Sequence, residues 1–241
     1  MKKPLNIITN LMQSQRNKSH YSDDELQNIG FREIGDNVLI SKFARIYSPE
    51  KITLKNNIRI DDFAILSGKI TIGNFVHIAN YASITGGKSG VVFGDFCGMS
   101  SYAKIYASSD DFYNGNLIGP CILDNFRNVL HKEVILKRHN HIGSHSLVLP
   151  GSIFEIGASL GAMSLNIGRK LKSWNYYFGN PAKIIYKIDS KKIEQKEFEL
   201  EDNQLSRSEF EYEVEIKTAA NQLRYVNVSA RTGTVNFEDD D

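Results

Sequence analysis

From Ile34 onward, aliphatic residues recur every six positions. Ile34, Ile40 and Ile46 form one set of three, Leu54, Ile60 and Leu66 the next. Ile72, Ile78 and Ile84 follow, then Phe93, Met99 and Ile105. After a gap come Leu136, Ile142 and Val148, then Ile156 and Ala162. Four residues beyond many of these stands a small or β-branched side chain: Val38, Ala44, Ala64, Val76, Ala82, Cys97, Ala103, Ser146. A glycine often follows the first aliphatic of a set, as in Ile34-Gly35, Ile72-Gly73, Phe93-Gly94, Ile142-Gly143 and Ile156-Gly157. Six fits neither the helical period nor the alternation of a strand. It suits one short strand plus one corner. Three such units close a coil of about eighteen residues, the hexapeptide type of parallel β-helix. The aliphatics point inward as a continuous stack, and the small residues fit where the corner narrows. Asn37, Asn57, Asp62, Asn74, Asn80 and Asp95 fall at corners, where left-handed backbone is tolerated. The pattern predicts six coils.

Two interruptions break the register. A short one runs from Thr85 to Gly90. A long one, residues 107–133, contains SSDDFYNGNLIGPCILDNFRNVLHKE. Insertions in solenoids become loops, and a loop this long in a compact domain is usually functional. Ser22-Asp23-Asp24-Glu25 reads as a capping box opening a short helix. Residues 190–205 read as a charged surface helix. The segment 211–237 alternates at period two around Ala219-Ala220-Asn221, which predicts a hairpin. It weakly resembles the last hairpin of PepSY domains, including Ala-x-Thr-Gly. The expected organisation is therefore an N-terminal helical segment 1–30, an all-β coil domain 31–188 with the loop 107–133, and a C-terminal helix and hairpin 189–241.

The repeat resembles the hexapeptide-repeat acyltransferase superfamily from Gly30 to Lys187. Three stretches sharpen the resemblance: YSPEKITLKNNIRIDDFAILSGKITIGNFVHIANYASITGG, DFCGMSSYAKIYASSDDFYNG and VILKRHNHIGSHSLVLPG. They are similar to the galactoside acetyltransferase-like group and, within it, to the VioB-type N-acetyltransferases of dTDP-4-amino-4,6-dideoxyglucose. The stretch LGAMSLNIGRKLKSWNYYFGNPAKII resembles the usual close of the family's coil. The resemblance implies a left-handed coil, whereas the general crossover rule would give a right hand. It also implies acetyl-CoA as co-substrate, a nucleotide-linked amino sugar as acceptor, a homotrimer, and a place in lipopolysaccharide O-antigen biosynthesis. The long loop would reach a neighbouring subunit and help form its active site.

Composition narrows the alternatives. A net charge of +1 on 241 residues argues against a general nucleic-acid binder. No stretch approaches the length of a membrane span. The start, with Lys2 and Lys3, lacks the apolar run of a signal peptide, and two cysteines make no disulfide framework. The expectation is a cytoplasmic enzyme.

Attack on a thioester needs a held nucleophile, a route for its proton, and stabilisation of the oxyanion. Asp110 and Asp111 lie where sugar O-acetyltransferases of the superfamily carry a histidine base. An amine acceptor suits a carboxylate there, and two adjacent carboxylates can raise one another's pKa; the same pair equally suits a solvated turn. His77 is the competing base, or a surface residue beside a corner. His139, His141 and His145 cluster in sequence but point different ways on a coil, so no metal is expected. His139, His141 and Tyr113 are candidates for lining the acceptor cleft. By the resemblance, Ser144, Gly161, Ala162 and Ser164 would bind the pantetheine arm through corner backbone. Arg169, Lys170 and Lys183 would meet CoA phosphates, with Trp174 and Pro181 packing on adenine. O-acetylation of a saccharide, or a non-catalytic β-helix binding protein, are the rival functions.

Overall fold

The computed structural model describes residues 14–111 and 113–210, with the strand residues 213–217, 223–228 and 235–236, and side chains through residue 200. Gln15–Asp189 form one compact unit. Residues 15–29 thus belong with the coils rather than with a separate segment. Ser22 caps the helix Asp23–Asn28 through the expected capping box, and Leu26 of that helix is buried. From Glu33 the chain winds through about seven turns of parallel strands. Three strands per turn make three walls.

Wall one stacks Val38–Ile40, Ile58–Ile60, Val76–Ile78, Gly98–Met99, His141–Ile142, Ser159–Leu160 and Asn175–Phe178 in register. Walls two and three are joined, because the strands Ile65–Ile72 and Ser83–Phe93 run round the corner between them. The predicted inward positions from Ile40 to Ile105 are buried, except Ile46, which like Ile34 is partly exposed and packs against the edge of the core. All eight small corner residues are buried as well.

The last coils correct the expected register. Ile156 is 40% exposed and Ala162 is exposed, while Phe154 and Leu160 are fully buried. The period of six runs on from Leu136 without the skip, through Ile142, Val148, Phe154 and Leu160 to Asn166. Ile156-Gly157 imitates the Ile-Gly signal, but Gly157 supplies a corner with φ +71°. The inward position after Leu160 is polar. Asn166 satisfies its own amide against the backbone carbonyl and N–H of Arg169. A seventh coil, begun by Lys170–Leu171, closes the stack with buried Leu171 and Tyr177.

The corners also differ from expectation. Asn37 and Asn57 adopt positive φ, but beyond them the left-handed residue is the one after the Asn or Asp: Phe63, Phe75, Tyr81 and Phe96. The polar side chains staple coils instead. Asn56 accepts the N–H of Asp36, Asn74 that of Asn56, and Asp95 that of Asn74. The strained aromatics stack on one another along two corners. Phe63, Tyr81, Tyr102 and His145 form one column, with centroids 4.7–4.9 Å apart. Phe75, Phe96, His139 and Trp174 form the other. Ring contacts of this kind contribute about 0.5–1.5 kcal/mol each and offset the cost of left-handed backbone, about 1–2 kcal/mol per residue.

Described by itself, the C-terminal unit contains a helix, Ser190–Phe210, five residues longer than expected, and an antiparallel pair, Glu213–Lys217 with Leu223–Val228. A third strand, Val235–Asn236, was not anticipated. The predicted turn 219–221 and the Ala-x-Thr-Gly at 230–233 lie outside the described residues.

Candidate active site

In the register of wall one, the outward position is occupied in successive coils by Arg59, His77, Gly98, His141, Ser159 and Tyr176. Asp61 and Ser100 stand two residues beyond Arg59 and Gly98, just past the ends of their strands, and reach the outward histidines through hydrogen bonds. Asp61 is the hub of a small network. It accepts Nε of Arg59 at 2.6 Å through one oxygen and meets Nε2 of His77 at 2.7 Å through the other. Arg59 is held in turn by the Gln15 side chain at 2.8 Å. Burial pushes the Asp61 carboxyl up, but the hydrogen bonds and charges of His77 and Arg59 outweigh it and hold the group below its usual range. Asp61 is therefore ionised at neutral pH and orients the half-exposed His77 ring through its Nε2. One coil beyond Gly98, His141 lies 3.0 Å from the hydroxyl of Ser100 through Nε2. Burial pushes the His141 pKa down, so this imidazole is neutral at pH 7.

Sequence reasoning named His77 and His141 but missed Arg59, Asp61, Gly98 and Ser100. The signal was present. Arg59 and His77 are one eighteen-residue coil apart and occupy matching outward positions, so their common face was legible once the register was fixed. A cavity of about 460 Å³ lies beside the network, lined by His20, Arg59, Asp61, Asp62 and the stacked Phe63 and Tyr81 among others.

The long loop replaces the corner between walls two and three, leaving from Lys104–Tyr106 and returning at Val134–Leu136. It opens as a ribbon in which Ser108–Asp110 pairs antiparallel with Val129–His131. The two aspartates part company here. Asp111 accepts both Asn114 and Asn128 side chains. The Asn114 amide, chiefly, holds its carboxyl below the usual range, so the expected mutual rise is reversed for Asp111. Asp110 takes a 3.3 Å hydrogen bond from the Gly119 N–H on one oxygen; the other is shielded and has no partner among the described residues. A cavity of about 360 Å³ between them is lined by Tyr113, itself 86% exposed. His131, on the same face of the ribbon as Asp110, also has a buried Nδ1 with no partner among the described residues, which the sequence did not flag.

A corner between two walls of a triangle lies opposite the third wall. Asp110 and Asp111 therefore leave the coil at the corner opposite the wall that carries His77 and His141. The histidine cluster is divided likewise: His139 and His145 are rungs of the two corner columns, and only His141 stands on wall one.

The remaining candidates lie towards the end of the coil. The Ser164 hydroxyl is buried, donating to the Ala162 carbonyl and accepting the Gly179 N–H, so it staples the corner. Gly161 sits under Tyr176 and Phe178, where a Cβ would come within 2.3 Å of the tyrosine hydroxyl. The backbone N–H of Met163 donates to the Ser144 carbonyl, tying Ser144 to the coil after it. Ala162 is exposed at the same corner. Lys170 pairs with Glu155 at 2.7 Å, Arg169 and Lys183 are exposed, and Pro181 follows a cis peptide bond. Trp174 stacks on His139 at 5.7 Å. Cys97 is no nucleophile, since burial pushes its thiol up to about 12.

No protein-family profile matches the chain. A curated relative, the dTDP-4-amino-4,6-dideoxy-D-glucose acyltransferase of Escherichia coli, is 37% identical over 179 residues, covering 72% of this chain and 92% of the relative. Crystal structures of AntD, an N-acyltransferase from Bacillus cereus, superpose with a TM-score of 0.74 at 43% identity, covering 77% of this chain and all of AntD. They include complexes with dTDP and coenzyme A, with dTDP-4-amino-4,6-dideoxyglucose and coenzyme A, and with dTDP and 3-hydroxybutyryl-CoA. Several carry a substitution at one serine or one aspartate. The polysialic acid-specific acetyltransferase NeuO, at 20% identity and a TM-score of 0.51, shares the fold alone. With nearly the whole length of two such relatives matched, and its polar side chains gathered on one wall and one inserted loop of the same β-helix, the chain belongs to the dTDP-4-amino-4,6-dideoxyglucose N-acyltransferases.

Proposed function

We propose that this protein transfers an acyl group from acyl-CoA to the 4-amino group of dTDP-4-amino-4,6-dideoxyglucose, with acetyl-CoA as donor, at three equivalent sites of a cytoplasmic homotrimer. The product would serve surface polysaccharide assembly of the O-antigen kind. The amine nitrogen attacks the thioester carbonyl, the C–N bond forms, the C–S bond breaks, and the proton lost by nitrogen ends on the departing thiolate of CoA. An amine needs no strong base, so a carboxylate that holds it and relays its proton suffices.

The observation that carries this reading is the separation of the polar groups. Asp110 leaves the corner opposite the wall that bears His77, Ser100 and His141, and its shielded oxygen has no partner among the described residues. A rotationally closed ring brings the loop of one copy against wall one of the next and uses every such surface. In AntD the substituted serine and aspartate are ten residues apart, a spacing that Ser100 with Asp110 and Ser101 with Asp111 both repeat here; of the two pairs, only Asp110 keeps a carboxylate oxygen without a partner among the described residues. In this reading Ser100, with the neutral His141 behind it, donates to the thioester oxyanion, and Asp110 of the adjoining copy positions the amine. His77, oriented by Asp61, lines the same wall. Arg169, Lys170 and Lys183 remain the groups assigned to CoA phosphates, with Trp174 and Pro181 beside adenine. Ser144, Gly161, Ala162 and Ser164 contribute backbone to the pantetheine arm.

Incubation of the purified protein with acetyl-CoA and dTDP-4-amino-4,6-dideoxyglucose tests the reading. Thiol release should match the appearance of a product heavier by one acetyl group, and dTDP-glucose, which offers hydroxyls only, should give none. Equal thiol release with both sugars, or with neither, overturns it. Light scattering showing an active monomer would overturn the trimer.

A further inference from the structure

Glycine in these coils has a reason almost everywhere. Gly35, Gly73, Gly94 and Gly143 lack positive φ, but a Cβ on any of them would come within 2.4–2.8 Å of the next coil. Gly86 would meet backbone at 2.0 Å, and Gly161 the Tyr176 hydroxyl at 2.3 Å. Gly30, Gly68, Gly87 and Gly157 adopt the left-handed φ that favours glycine. Gly98 has neither excuse. Its φ is ordinary, and a Cβ there would touch only the edge of the His141 ring, Cδ2, at 3.3 Å. A glycine inside a strand weakens it and often marks a place where a ligand or another backbone comes close; at Gly98 the one neighbour a Cβ would crowd is a side-chain ring rather than backbone.

The surroundings say what kind of ligand. Gly98 is partly exposed in the outward column of wall one, with His77 in the coil before and His141 in the coil after. Strands stack about 4.8 Å apart, so the two imidazoles border a notch one coil high and roughly 9–10 Å between backbones. Its floor is the bare backbone of Gly98. The Ser100 hydroxyl, 3.0 Å from His141, stands at its side. A narrow slot with a flat floor, a hydroxyl at one edge and an imidazole in the coil on either side fits a thioester and a short acyl tail.

We propose that the Gly98 notch seats the acyl group during transfer and that its depth sets the length of acyl chain the enzyme accepts. This rests on the acyltransferase reading above and adds to it the place of the acyl tail and the residue that measures it. The carbonyl oxygen faces Ser100, and the tail lies along Gly98 between the two rings.

The test is Gly98→Ala, which raises the floor by one methyl group. Turnover would be measured with acetyl-CoA and with butyryl-CoA against dTDP-4-amino-4,6-dideoxyglucose, and the affinity for CoA without an acyl group by calorimetry. The expected result is a fall in kcat/KM of about tenfold to a hundredfold for butyryl-CoA, a smaller fall for acetyl-CoA, and unchanged affinity for CoA. The melting temperature should change little, since the narrower unfolded ensemble of alanine offsets the small shift that a 3.3 Å approach asks of the His141 ring. Equal effects on both donors, an equal loss of CoA affinity, no effect at all, or a marked drop in melting temperature would each overturn the proposal. A wild-type protein that acylates no dTDP-amino sugar overturns the functional reading instead. The notch then stands or falls on whether Gly98→Ala weakens binding of butyryl-CoA relative to CoA.

Discussion

Two inactive variants should restore each other if each site is built from two chains. Ser100→Ala damages wall one and leaves the loop intact. Asp110→Asn damages the loop and leaves wall one intact. Loss of an oxyanion donor costs about a hundredfold or more in rate. A carboxylate holding an ammonium group contributes about 1.5–3 kcal/mol, and at about 1.36 kcal/mol per tenfold its loss lowers kcat/KM for the acceptor by roughly tenfold to a hundredfold. Neither side chain should matter to assembly. Among the described residues the Asp110 carboxylate takes one long hydrogen bond, and the Ser100 hydroxyl bonds to the His141 ring. In trimers reassembled from equal amounts of the two variants, a site works when its wall comes from the loop variant and its loop from the wall variant. Random mixing gives that combination in about one quarter of sites. The assay is CoA release with dTDP-4-amino-4,6-dideoxyglucose after co-refolding, beside each variant refolded alone. The mixture should recover about a quarter of wild-type activity, well above either parent. A mixture that stays at the mean of its parents would refute the composite site, and wild-type activity in Asp110→Asn would remove the loop from the chemistry altogether.

His141 also makes stability depend on pH. Burial holds its folded pKa below 6.5, so the cost of protonation appears only as the unfolded chain begins to bind a proton. Stability is therefore full above about pH 6.5 and drains as pH falls towards the folded pKa. His20, shifted the same way chiefly by burial, adds to the slope. Melting temperatures of wild type and His141→Gln between pH 7.5 and 5.5 should show a shallower decline in the variant; parallel curves would sink the assignment. At the corner, Gly157→Ala places a methyl 2.1 Å from Cε3 of Trp174 on a residue with φ +71°. Beyond the left-handed cost of about 1–2 kcal/mol, it should push the ring off His139 and shift the emission of the chain's single tryptophan. An unchanged spectrum would show that the ring does not depend on this glycine.

The period of six determined the architecture before any coordinate, because a β-helix is quasi-one-dimensional. Each residue's direction depends on its place in a short repeat, so Ile40, Leu66 and Ile84 could be assigned to the core from spacing alone. The same logic faltered where local signals compete. Ile156-Gly157 resembled a coil start, and the true inward position, Asn166, is polar, so only the stacked register could decide. Aromatic residues in left-handed backbone were invisible for a related reason. Their strain is relieved by rings in neighbouring coils, which are about eighteen residues away in sequence.

The chemistry divided along the same line. Residue types and the inserted loop pointed to Asp110, Asp111, His77 and His141, since insertions and titratable groups stand out in a repeat. Which of them meet was a matter of tertiary structure. Coil stacking joined Arg59, Asp61 and His77, and Ser100 with His141. It set Asp111 apart from Asp110 by hydrogen bonds that sequence does not display. The sequence by itself determined the repeat and the insertion. Only the closed triangle decided that the loop carboxylate and the wall histidines stand on opposite sides of one chain, because direction around a prism exists only once its walls have closed.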